Sequence, residues 1–134
     1  MKIGVFDSGV GGLSVAHAIQ KHLPGHEVLV REDRTNLPYG TKSKEQLIYL
    51  VTPILQSMVA DGCNVLVIAC NTVTTNIITE LRELIPVPLV GIEPMIKPAS
   101  ERTRTKIITV CATPATLASE RYQWLKATYA KGIQ

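Results

Sequence analysis

Asn64-Val65-Leu66-Val67-Ile68-Ala69-Cys70-Asn71-Thr72 is the stretch on which the fold turns. Its first six residues form a short, near-continuous apolar run rich in β-branched side chains. That is the pattern of a strand buried on both faces of a parallel sheet. Working outward, Gly62 stops the helix before it, and Val73–Leu84 reads as the helix after it, closed by Pro86 and Pro88. Upstream, Ser43–Asp61 is the clearest helix. Ser43 with Gln46 makes a capping-box pattern, and Leu47, Leu50, Val51, Ile54, Leu55 and Met58 recur at helical spacing. Lys2–Phe6 and Glu27–Arg31 read as strands on either side of a helix from about Gly12 to His22. Downstream, Pro88–Ile92 is a fourth strand, and Met95–Glu101 is a short helix interrupted or stopped by Pro98. Lys106–Cys111 is expected as a fifth strand. A final helix, with Thr113 at its cap and Pro114 in its first turn, is expected to run to about Thr128. This β-α alternation predicts an α/β fold, a doubly wound and mostly parallel sheet.

Composition narrows the function classes. The chain has 134 residues, 46% hydrophobic and 19% charged, which suits a packed core and argues against disorder. That length allows one domain, or one domain and the start of another. It strains any claim to a two-domain enzyme. Fourteen Lys and Arg stand against eleven Asp and Glu, a net charge of +3. The basic residues are scattered, with loose clusters only at Lys42–Lys44 and Arg102–Lys106 and few aromatics between them, so no nucleic-acid partner is expected. The three cysteines are an odd, unpaired set without ligand spacing, so neither a disulfide framework nor a metal site is indicated. The start lacks the long apolar region of a signal peptide, and the run Val65–Cys70 is too short to span a membrane. A cytoplasmic protein with free thiols is the expectation.

Sheets of this kind hold ligands beyond the carboxyl ends of their strands. Those ends are Asp7-Ser8, Asp33, Cys70-Asn71-Thr72, Glu93 and Ala112-Thr113. The turn Asp7-Ser8-Gly9-Val10-Gly11-Gly12 invites a nucleotide reading and fails it. Ser14 stands where a dinucleotide fingerprint needs its third glycine, and no Lys-Ser/Thr pair follows the last glycine. An Asp in the turn would also repel a phosphate. A glycine turn aiming Asp7 and Ser8 into a cleft is the better account; the alternative is that either residue only caps the helix.

Cys70 precedes a helix, where the N-terminus favours a thiolate, and Asn71 and Thr72 can donate to a carboxylate. Equally, Cys70 can be a small buried hydrophobe and Asn71 an N-cap. Cys63 and Cys111 read as packing residues. Leu37-Pro38-Tyr39-Gly40-Thr41 is a rigid turn offering a phenol and backbone amides to a ligand, or only a structural turn. His17, His22 and His26 read as solvated surface. Glu93 faces the cleft or serves a structural hydrogen bond.

These residues carry a resemblance. Gly4-Val5-Phe6-Asp7-Ser8-Gly9-Val10-Gly11-Gly12-Leu13 resembles the opening of the glutamate racemases, of the aspartate/glutamate racemase family. So does Asp33 followed by Pro38-Tyr39-Gly40-Thr41-Lys42-Ser43. Ala69-Cys70-Asn71-Thr72 is similar to that family's first catalytic cysteine motif, and Gly91-Ile92-Glu93-Pro94 to the end of its fourth strand. Ala112-Thr113 with Thr116 resembles the start of its second domain. The matches are collinear across nearly the whole chain.

The resemblance implies a cofactor-independent isomerase that interconverts L- and D-glutamate for bacterial peptidoglycan and hence cell-wall and cell-shape maintenance. Two cysteines face the substrate α-carbon from opposite sides, one removing a proton and the other returning one. By that implication Cys70 is one base and Asp7 assists it. Asp7, Ser8, Tyr39, Gly40, Asn71 and Thr72 touch substrate, and Thr113 and Thr116 join them. No metal or cofactor is implied, the partner is glutamate, and a homo-oligomer is expected.

Two departures stand out. Arg31-Glu32 replace the aromatic residue and glycine common in the family, which is expected to alter the cleft edge. The resemblance also covers only the first half of a family member, without the second Cys-Thr-His motif. Residues 1–98 then correspond to an incomplete first domain and 99–134 to the start of a second, and the chain alone is expected not to racemise glutamate. The alternatives are a non-catalytic carboxylate-binding or interaction protein, and a related aspartate or hydantoin racemase.

Overall fold

The computed structural model describes Met1–Gln134. Strands β1 (Lys2–Asp7), β2 (Glu27–Glu32), β3 (Val65–Ile68) and β4 (Leu89–Gly91) form one parallel sheet in the order β2-β1-β3-β4. The register places Val5 between Val30 and Val67, and Phe6 between Arg31 and Ile68. Crossovers are made by α1 (Gly12–His22), α2 (Lys44–Ala60) and α3 (Asn71–Leu84), with a 3-10 turn at Tyr39–Thr41 before α2. Helices α4 (Ile96–Arg102), α5 (Pro114–Ala118) and α6 (Glu120–Tyr129) complete the chain. No helix is long and apolar enough to cross a membrane.

Period-two alternation divides the sheet into two faces. Phe6, Leu66, Ile68 and Leu89 point to one side, where α2 supplies Leu47, Val51, Leu55 and Met58 and α3 supplies Val73, Ile77 and Leu81; these side chains form the core. Gly4 lets the two layers meet, since a Cβ there would lie 2.5 Å from Leu66 Cδ2 and 2.8 Å from Met58 Cε. On the other face, α1 packs against β1 and β2, covering Ile3 and Val5 with Ala16 and the small Gly12. The capping box at Ser43 forms in both directions: Gln46 N donates to Ser43 Oγ (3.3 Å) and Ser43 N to Gln46 Oε1 (2.8 Å).

Four expectations are corrected. First, β3 is not buried on both faces: Leu66 and Ile68 are buried, but Val65 and Val67 are only partly so, because α1 reaches over β1 and β2 and not over β3 and β4. Second, Lys106–Cys111 is not a strand of the sheet: Lys106 is a bend with φ 58°, and the residues after it pair with no strand. Its hydrogen bonds go to the chain end instead, with Ile108 N donating to Gln134 O and Gln134 N to Lys106 O, both at 2.8 Å.

Third, the final helix is two. Ser119 is extended (φ −65°, ψ 144°), its Oγ donates to Thr116 O (2.7 Å) and accepts from Tyr122 N (3.2 Å), so it closes α5 and caps α6. Thr113 and Pro114 do start α5 as expected. Fourth, Pro98 does not interrupt α4; it is the third helical residue, where a missing N–H costs no helix bond.

Candidate active site

The carboxyl ends of β1 and β3, which lie side by side, place the first site residues together. Asp7 ends β1, and its buried carboxylate is wrapped by the glycine turn: Oδ2 accepts from Gly12 N (3.1 Å) and Gly9 N (3.3 Å). A Cβ on Gly12 would lie 2.8 Å from Asp7 Cβ, and one on Gly11 3.2 Å from Oδ2, so the glycines are what let the chain close on this group. The carboxylate sits at the N-terminus of α1, where a nucleotide phosphate would have to bind. Asp7 therefore binds the first helical amide of α1 and borders the cavity at once.

Cys70 is the last extended residue before α3 (φ −75°, ψ 110°), and Thr74 N donates to its carbonyl as the helix begins. Asn71 is thus the first helical residue and not the N-cap. The Cys70 thiol is buried and lies 3.3 Å from Ser8 Oγ. Thr72 Oγ1 meets Thr113 Oγ1 at 2.8 Å and Thr116 Oγ1 at 3.4 Å, and Thr113 Oγ1 donates to Thr116 Oγ1 at 3.0 Å. Three hydroxyls thus tie the N-terminus of α3 to that of α5. Asn76, which pattern reading passed over, locks the same junction by donating to Thr72 O (2.8 Å) and Ala115 O (3.3 Å). Its signal was available, because Asn76 stands four residues after Thr72 on one helix face.

Together these side chains line a cavity of about 230 Å³. Its walls are Asp7, Ser8, Cys70, Asn71, Thr72, Thr113 and Thr116, with Ala69 and Ala112 between them. A larger groove of about 630 Å³ runs between α3 and α6. Four of its charges are paired within the chain, Lys44 with Glu80 and Arg121 with Glu93; of the other two, Arg82 donates to Leu89 O (3.3 Å) and Glu120 has the opposite sign, and no thiol lines the groove. The smaller cavity, where thiol, hydroxyls and a helix N-terminus converge, is the candidate site.

Two expected residues stand outside it. The Tyr39 phenol turns inward, donating to Asp33 Oδ2 at 2.6 Å, with its ring tilted against Phe6 at 6.4 Å between centroids. Burial, and then the hydrogen bond to Asp33, push its ionisation far above the ordinary tyrosine value. Gly40 is buried against Thr113; a Cβ there would lie 2.5 Å from Thr113 Cβ.

The remaining candidates are structural. Glu93 forms an ion pair with Arg121, Nη2 to Oε2 at 3.0 Å, and does not line the cavity. Cys63 is buried, and burial pushes its thiol up. Cys111 is exposed, against the expectation of packing, because its segment has no sheet to join. The charges at Arg31 and Glu32 also stay out of the cavity, pairing with Asp61 (2.8 Å) and Arg34 (2.7 Å). His17 and His22 are exposed.

Fold and cavity define a class: a parallel α/β protein whose site lies at the strand ends and presents a thiol beside a helix N-terminus. Residues 13–130 match the Asp/Glu/Hydantoin racemase family, and the chain belongs to it. Among curated relatives it is similar to a glutamate racemase of Halothermothrix orenii, 42% identical over 123 residues, covering 92% of this chain and 49% of that one. Among solved structures it is similar to Escherichia coli glutamate racemase in complex with L-glutamate and the activator UDP-MurNAc-Ala (TM-score 0.92, 36% identity, 99% of this chain and 50% of that one). A second is glutamate racemase from Aquifex pyrophilus (TM-score 0.85, 38% identity, 98% and 52%). The chain spans about half the length of the curated relatives it matches.

Proposed function

We propose that this chain provides one half of a cofactor-independent glutamate racemase site, with Cys70 as the acid/base group for one face of the substrate α-carbon. The observation that carries the reading is the Cys70 thiol 3.3 Å from Ser8 Oγ, inside a cavity that Asp7, threonine hydroxyls and the α3 N-terminus also wall. A carboxylate of glutamate fits against the first amides of α3 and the Thr72 hydroxyl. Ser8, Asn71 and Thr113 limit its rotation, with the fully buried Thr116 hydroxyl behind Thr113. Held so, the substrate presents its α-hydrogen to Cys70, and Asp7 sets the charge beside the reacting centre.

Asp7 and Cys70 are the only titratable residues lining the cavity. Inversion needs a second acid on the opposite face, and these walls do not supply one. On this reading residues 1–98 form most of a first racemase domain and 99–134 open a second. The complete enzyme works as a homo-oligomer in the bacterial cytoplasm, feeding D-glutamate to peptidoglycan.

The test is isotope exchange. In D2O the purified chain is expected to exchange the α-hydrogen of one glutamate enantiomer and form no opposite enantiomer, since a lone thiol addresses one face. Cys70→Ala is expected to abolish the exchange. A second reading, a carboxylate-binding module without chemistry, draws on the commitment of Asp7 Oδ2 to Gly9 and Gly12. Calorimetric binding of glutamate with no exchange would select it. Neither binding nor exchange would overturn both.

A further inference from the structure

Asp33 lies just past β2 and is buried, and its main-chain N–H donates to Asp7 O (3.2 Å), fixing it beside the end of β1. Asn36 Nδ2 donates to both carboxylate oxygens (3.0 and 2.9 Å), and the Tyr39 phenol donates to Oδ2 (2.6 Å). A buried carboxylate is costly unless its lone pairs are taken, and here the donors come from the loop that follows it. The loop is thereby pulled inward around Asp33. Its next residue, Gly40, lies so close to Thr113 that a Cβ would clash at 2.5 Å. Thr113 in turn holds the Thr72 and Thr116 hydroxyls of the cavity wall.

We propose that Asp33 is a positioning residue of the candidate site. Its carboxylate, through the Tyr39 phenol, holds the Tyr39–Thr41 turn against Thr113 and so fixes the hydroxyl wall of the cavity. Neither Asp33 nor Tyr39 lines that cavity, so their effect on a ligand passes through Gly40 and Thr113. Tyr39 then serves as the buried prop of the wall, and its phenol is not a ligand contact.

Three variants test this: Tyr39→Phe removes the phenol and keeps the ring, Asp33→Asn keeps one acceptor oxygen, and Asp33→Ala removes both. The first readout needs no ligand. In NMR spectra of the folded chains, the Gly40 amide and the Thr113 and Thr72 methyl signals are expected to move in Tyr39→Phe and Asp33→Ala, and less in Asp33→Asn, while those of Val65 and Val67 stay. Unmoved Thr113 and Thr72 signals in folded Tyr39→Phe and Asp33→Ala overturn the proposal.

The second readout rests on the glutamate reading of the cavity. The glutamate dissociation constant is expected to rise about tenfold in Tyr39→Phe and Asp33→Ala. The double variant is expected to be no weaker than about twice either single one, because both act through one contact. A side chain that only stabilised the fold would lower the melting temperature without weakening binding by the folded fraction. Wild-type binding with unweakened variants also overturns the proposal. A wild-type chain that binds no glutamate overturns the substrate reading instead, and the positioning claim is then decided by the Thr113 and Thr72 signals.

Discussion

Ionising the Tyr39 phenol would set a second negative charge 2.6 Å from the Asp33 carboxylate, within a buried pocket. The folded chain therefore keeps this proton above the pH at which an unfolded tyrosine, of ordinary value 10.0, releases it. In linkage terms the native state binds more protons than the unfolded state over that window, so stability falls as pH rises. The contribution of Tyr39 is complete below about pH 10 and is lost progressively above it. Cys63 has the same sign from about pH 9, since burial also raises its thiol. Urea midpoints measured from about pH 8 to about pH 11 are expected to fall more steeply for wild type than for Tyr39→Phe. Equal slopes would mean that the phenol is not held as described.

At this scale the sequence was readable wherever backbone placement decides the role. Asp7, Ser8, Cys70, Thr72, Thr113 and Thr116 share one cavity because they sit at strand ends and helix starts. Tyr39 was not readable in that way. The direction of its side chain depends on a buried acceptor six residues earlier, across an irregular loop with no periodicity to reveal it.

Among the elements, α2 forms because most of its local signals agree and outweigh the one against it, Pro53 in its interior. Its apolar residues recur on one face, Gly62 follows it, and the Ser43–Gln46 box satisfies helix amides at its start. Ser43→Ala is expected to cost about 0.5–2 kcal/mol, read as a lower urea midpoint with an unchanged slope. No change would mean that the exposed box is replaced by water without loss. Elements 106–111 and 114–129 were less legible for a physical reason. An apolar run becomes a strand only with a neighbour, and Lys106–Cys111 lies apart from the sheet, with Lys106 and Ile108 bonded to Gln134. The break at Ser119 comes from a hydroxyl bonding both Thr116 O and Tyr122 N, in a stretch whose helical propensity shows no gap.

Across the whole molecule the two faces of the sheet are unequal. The face toward α2 and α3 is closed, with Leu66 and Ile68 at 0% exposure, whereas Val90 on the opposite face is 51% exposed. Beside it, Val15, Ala18, Ile19, Leu23 and Ile92 line an apolar groove next to α1. The apolar run that decided the fold could not show this asymmetry, because β-branched residues suit either face of a strand whether or not a helix covers it.

The consequence is a sharp difference between neighbouring strands. Leu66→Ala removes methyl groups from a packed interior that relaxes only partly, and is expected to cost about 2–5 kcal/mol. Val90→Thr exchanges a methyl for a hydroxyl that water can already reach, and is expected to stay within about 0.5 kcal/mol. Chemical denaturation of both variants checks the pair. A Val90→Thr loss as large as that of Leu66→Ala would mean that the outer face is covered in solution, and comparing protein concentrations would then tell whether a second copy covers it. A loss confined to Leu66→Ala would establish that β3 and β4 are held from the α2 and α3 side, and with them the strand end on which Cys70 stands.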